Sequence, residues 1–83
     1  MTEQQFKILC RAYWPDCHFA DTSFGDILCY PDMWARVCYA PQCKNAEGWF
    51  GEEADWFQVG KPETIIRRVA EDMRRWKDVR TEV

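Results

Sequence analysis

The sequence is poor in the residues that most enzymes need. It has one histidine, His18, and four scattered glycines (Gly25, Gly48, Gly51, Gly60). No glycine-rich loop stands before a helix, which excludes the common phosphate cradles. A lone histidine leaves a cysteine nucleophile one possible base, and the acids around it disfavour a thiolate. No apolar run reaches the roughly 18 residues a membrane-spanning helix requires. The first residues, Met1-Thr2-Glu3-Gln4-Gln5, are polar and lack the basic and apolar regions of a signal peptide. The sequence therefore predicts an untargeted cytoplasmic product. Basic residues are also scarce through the middle of the chain. Residues 15–63 hold three of them (Arg36, Lys44, Lys61) against nine acids, a net −6. The flanks are mildly basic and bring the total to −3.

What is present is aromatic and sulfur-rich. Five tryptophans and five cysteines occur in 83 residues. A chain of this length forms one domain, residues 1–83, with a small core that large side chains fill efficiently. Five is an odd number of cysteines. Without a secretory signal, Cys10, Cys17, Cys29, Cys38 and Cys43 read as free thiols behaving as small hydrophobes.

Thr2 and Gln5 have capping-box spacing, and Phe6, Leu9, Cys10 and Tyr13 follow on one helical face. Pro15 should stop that helix near Tyr13. Asp26 to Tyr30 and Met33 to Ala40 then read as a β-hairpin, with Pro31-Asp32 as its central turn residues. Pro41 should end the second strand and Asn45 to Gly48 should form the next turn. Trp49-Phe50 and Asp55 to Val59 are shorter strand candidates flanking a tight acidic loop. Cys17 to Ala20 is a further candidate at the sheet edge. Pro62 and Glu63 suit a helix start. Ile65, Ile66, Val69, Ala70, Met73 and Trp76 then form an apolar stripe. Arg67–Glu71, Arg68–Asp72 and Glu71–Arg75 are spaced as ion pairs on the opposite face. Arg80 to Val83 should fray. The expectation is an α+β domain with an N-terminal helix, a short antiparallel sheet of three to four strands and a C-terminal amphipathic helix. Both helices should cover one face of the sheet.

Two candidate chemistries stand beside each other. Cys38 and Cys43 have four residues between them, the upper edge of structural zinc spacing. A closed site would have to draw on Cys17 or His18, and on Cys29 or Cys10. The acidic-aromatic segment from Glu47 to Phe57 offers the other reading. Carboxylates interleaved with large aromatics suit a protein partner with a basic surface and suit nucleic acid badly. On this reading Glu47, Trp49, Glu52, Glu53, Asp55 and Trp56 bind the partner. The protein is then non-enzymatic and needs neither cofactor nor metal. A small zinc-binding domain, or a regulatory dimer formed through the C-terminal helix, is the alternative.

With Glu47, Glu52, Glu53 and Asp55 beside Trp49 and Trp56, the whole chain is similar in character to the small phage-encoded inhibitor proteins, anti-CRISPR proteins among them. That resemblance is one of size, charge and α+β class, without a shared motif. It implies a protein that binds a larger host protein or nucleoprotein complex and blocks access of nucleic acid to it. The acidic balance and the lack of a long apolar run predict no direct contact with nucleic acid and none with a membrane.

Overall fold

The computed structural model describes residues 1–51 and 56–81, with side chains given up to residue 51 and from 58 to 75. Helix α1 (Glu3–Tyr13) is followed by strands β1 (His18–Asp21), β2 (Ile27–Asp32), β3 (Ala35–Ala40), β4 (Asn45–Phe50) and β5 (Trp56–Gly60). Helix α2 (Pro62–Thr81) completes the chain. The strands form one antiparallel sheet in the order β1-β2-β3-β4-β5, so each strand pairs with its sequence neighbours. The α+β class is as expected, with five strands in place of three or four.

Helix α1 starts as its sequence dictates. The Gln5 amide donates to the Thr2 hydroxyl at 3.1 Å, and the Thr2 amide donates to the Gln5 side-chain oxygen at 2.8 Å. The helix stops at Tyr13, before Pro15. The edge strand near Cys17 to Ala20 is present as β1, and Pro62 opens α2.

Two local expectations fail, each for a physical reason. Pro31 and Asp32 are not the centre of the first turn but the end of β2. The pairing register shifts between Cys29 and Asp32, and Pro31 sits in that irregularity, where its missing amide costs no ladder bond. Asp32 then accepts from the Trp34 amide at 2.6 Å and closes the turn through Met33-Trp34. Asn45 to Gly48 do not form a turn either. They belong to β4, and the reversal lies in residues 41–44, with Lys44 in the left-handed region at φ 56°. Ala46 and Gly48 are weak strand formers, but they alternate with exposed Asn45 and Glu47 and lie buried on the covered face. Their small size leaves room for α2, which lies mainly along β4. Helix α2 runs to Thr81, and the end expected to fray, Arg80 to Val83, lies partly outside the described residues.

One core joins the elements. Phe6 and Cys10 from α1, and Ile65, Ile66 and Val69 from α2, pack on Ile27, Cys29, Val37, Tyr39, Ala46 and Phe50 of the sheet. The Phe6 and Tyr39 rings stack with centroids 5.0 Å apart. The Tyr39 hydroxyl donates to the Met1 carbonyl oxygen and ties the start of the chain to the middle strand. Of the three pairs expected on α2, Arg68–Asp72 closes, at 3.8 Å. Both helices thus lie on one face of the sheet, and among the described residues no element packs on the other.

Two substitutions test this core. Val69 is fully buried, so Val69→Asp buries an unpaired charge. The cost is several kcal/mol against a total margin of about 4–12 kcal/mol for a domain this size. Loss of the cooperative melt by circular dichroism is expected, and a wild-type melt would place that stripe outside the core. Tyr39→Phe removes one hydrogen bond and should cost about 1 kcal/mol in urea unfolding. An unchanged midpoint would show that the tie to Met1 contributes nothing.

Candidate functional site

The candidate site is built on the uncovered face of the sheet, and strand alternation decides which residues reach it. On β3, Ala35, Val37 and Tyr39 turn into the core, so Arg36, Cys38 and Ala40 turn outward. On β4, Ala46, Gly48 and Phe50 turn inward and leave Asn45, Glu47 and Trp49 outside. The register sets these residues in rows across the strands. Leu28 stands opposite Cys38, Cys38 opposite Glu47, and Glu47 opposite Val59. In the next row Arg36 stands opposite Trp49, and its guanidinium lies 5.4 Å from the centre of the Tyr30 ring. That contact is a cation–π interaction between neighbouring strands. Val59 is 50% exposed, Leu28 and Trp49 are half-buried, and Glu47 is exposed.

Two of the six residues assigned to partner binding are therefore brought together. Glu47 and Trp49 share the open face, two positions apart on one strand, roughly 6.7 Å. Glu52, Glu53 and Asp55 lie outside the described residues. Trp56 pairs with Phe50 at the start of β5, and its side chain lies outside the described residues. Sequence reasoning missed the contributions of β2 and β3 to this surface. Tyr30, Arg36 and Cys38 are far from Glu47 in sequence and join it only through the register. Alternation in Ala35–Ala40 was the available signal.

At one end of the open face is a cavity of about 180 Å³ bordered by Asp26, Cys38, Cys43, Asn45, Glu47 and Val59, among others. Burial pushes the Cys38 thiol above its ordinary pKa, and the charges of Asp26 and then Glu47 add to that effect. The local field is therefore negative and holds this thiol protonated, which opposes nucleophilic chemistry.

The cysteines are divided by the sheet. Cys10 and Cys29 are buried on the covered face, with half-buried Cys17 near Cys29, while Cys38 and exposed Cys43 border the cavity on the other face. A zinc set that combines Cys38 and Cys43 with Cys29 or Cys10 would have to pass through the sheet. Among the described residues no three His, Cys, Asp or Glu side chains are placed to hold a metal ion. Hydrogen bonding to the Cys10 thiol, followed by burial, raises the Cys29 pKa far above its usual range. Burial first, then the neighbouring Cys29, pushes Cys17 up to about 11.

These thiols make a pH prediction. An acid whose folded pKa is raised stabilises the fold fully below its unfolded value and loses that contribution as pH climbs through the folded value. For Cys17 the window runs from about 9 to about 11. Urea midpoints should fall across that window, and Cys17→Ala should flatten the fall. Midpoints that stay level would contradict the packing of these sulfurs. In native protein a thiol reagent should label Cys43 rapidly, and Cys10 and Cys29 only on unfolding.

No protein-family model matches the chain, and neither a curated protein nor a solved structure matches it.

Proposed function

We propose that the protein is a non-enzymatic interaction protein. It uses the open sheet face, with Glu47 and Trp49 at its centre, to occupy a basic surface on a larger protein or nucleoprotein complex. This is the mode of action of small phage-encoded inhibitors such as anti-CRISPR proteins, in which access of nucleic acid to the host complex is blocked. The observation that carries the reading is that both helices pack on one face. The acid and the tryptophan expected to bind a partner stand together on the other. Carboxylates in a chain of net −6 over its middle steer a basic partner and raise the encounter rate. Trp49, desolvated in the complex, supplies the lasting contact. Ile65, Ile66 and Val69 of α2 are buried in the core, which favours the open face over these residues as the contact surface.

Affinity capture from the source cell with wild type, Glu47→Lys and Trp49→Ala tests the reading. Glu47→Lys should slow association, with a loss that shrinks once the screening length falls below about 8 Å. Trp49→Ala should speed dissociation and weaken binding by roughly 2 kcal/mol, with little dependence on salt. Thermal melts of the same variants separate lost binding from lost fold. If both variants bind as wild type while charge reversal at Arg67 and Arg75 abolishes capture, the functional surface is α2 and not the open face.

A further inference from the structure

We infer that the cavity at the end of the open face seats one arginine side chain of the protein partner. The inference rests on the open face being the docking surface, and it specifies what the docked segment must carry.

Size comes first. The cavity measures about 180 Å³. Pockets for small molecules and cofactors usually span about 300–1,000 Å³, so this one is too small for a whole ligand and suits a single side chain. The lining decides which side chain. Cys38, Ala40, Cys43 and Val59 contribute apolar and sulfur surface, and Asp26, Asn45 and Glu47 contribute carboxylates and an amide. An aliphatic stem ending in a cation matches that combination. Two carboxylates and a side-chain amide around one cavity favour a planar guanidinium with several donors over a compact ammonium.

Charge complementarity is unfilled within the chain. Among the described residues neither Asp26 nor Glu47 has a basic side chain within ion-pair distance; the ion pair present there is Arg68–Asp72, on α2. Arg36 stands one row along the open face from Cys38 and Glu47, but its guanidinium lies against the Tyr30 ring and outside ion-pair distance of either acid. Asp26 is held in place by its backbone. Its amide donates to the Thr22 hydroxyl at 3.1 Å, and its carbonyl accepts from the Thr22 amide at 2.9 Å. Its backbone is therefore fixed beside the cavity, and among the described residues its carboxylate has no basic partner. The same two acids disfavour a phosphate backbone, even though Tyr30, Arg36 and Trp49 would offer bases a stacking platform.

The test uses the isotopically labelled full chain and a short capped peptide with one arginine, beside its twin with neutral citrulline. The arginine peptide should shift the amides of Asp26, Cys38, Asn45 and Glu47 in a saturable way, in the millimolar range expected of one anchored side chain. Citrulline should bind at least about tenfold more weakly, as should arginine to Asp26→Asn, since each change removes a charge-assisted hydrogen bond. The seat is refuted by no saturable shift, by equal binding of citrulline, or by shifts centred elsewhere. It is equally refuted if single-stranded oligothymidine saturates Tyr30, Arg36 and Trp49 more tightly, or if the face titrates with protein concentration as a second copy covers it. The captured partner separates two failures. If Asp26→Asn holds it as wild type while Trp49→Ala releases it, the arginine seat falls and the open face stands. If Trp49→Ala and Glu47→Lys also hold it, the open face itself is lost as the docking surface.

Discussion

A five-stranded sheet has two faces, and this chain has two helices with which to cover them. Placing both on one side is the constraint from which the rest follows. Divided between the faces, each helix would have buried its stripe against half a core. Together they close one continuous cluster from Phe6 and Cys10, through Tyr39 and Val37, to Ile65 and Val69. For a chain of 83 residues, with little surface to remove from water, a single undivided core is the more stable solution. Its cost is a second sheet face left to solvent, and the outward residues must make that face tolerable. They do so by mixing character. Glu47, Asn45 and Arg36 are polar and exposed, whereas Leu28, Cys38 and Trp49 are half-buried. Arg36 lies over Tyr30 and shields part of an aromatic that would otherwise face water.

The small residues of β4 serve the same end from the inside. Ala46 and Gly48 have little side chain to contribute, yet they let α2 lie along β4, one strand in from the sheet edge. The larger residues on the neighbouring strand β3, Val37 and Tyr39, then fill the space beside the helix. Tyr39 has the most demanding position, with its ring on Phe6 and its hydroxyl on the Met1 carbonyl oxygen. A buried tyrosine needs such a partner, because a desolvated hydroxyl without one is costly.

Much of this architecture was legible from local chemistry. The capping box of Thr2 and Gln5, the stop before Pro15 and the helix start at Pro62 are signals within a few residues, and each is present in the fold. The α2 stripe at Ile65, Ile66 and Val69 was legible because burial on a helix leaves a 3.6-residue period. The turns were misread where composition and tertiary need disagree. Pro31 and Gly48 are turn formers on average, but one is accommodated in a register shift and the other lies beneath a helix. The candidate site was only half visible for a similar reason. Glu47 and Trp49 are near in sequence, whereas Cys38 and Val59 meet Glu47 through pairing across β3, β4 and β5, which no single segment encodes.

The strand order has a consequence for how the chain acquires its structure. Every strand pairs with the next in sequence, so the sheet can assemble hairpin by hairpin from contacts of short loop length. Hairpins of this kind form in about 1–10 μs, and closing short loops costs little entropy. The long-range step is the docking of α1 and the residues before it, since Phe6 and Met1 must reach Tyr39 more than thirty residues away. A meander that zips locally and is then locked by a distant helix should have a transition state dominated by the central hairpins. Mutations in α1 would then act mainly on the unfolding rate, and mutations in β3 on the folding rate.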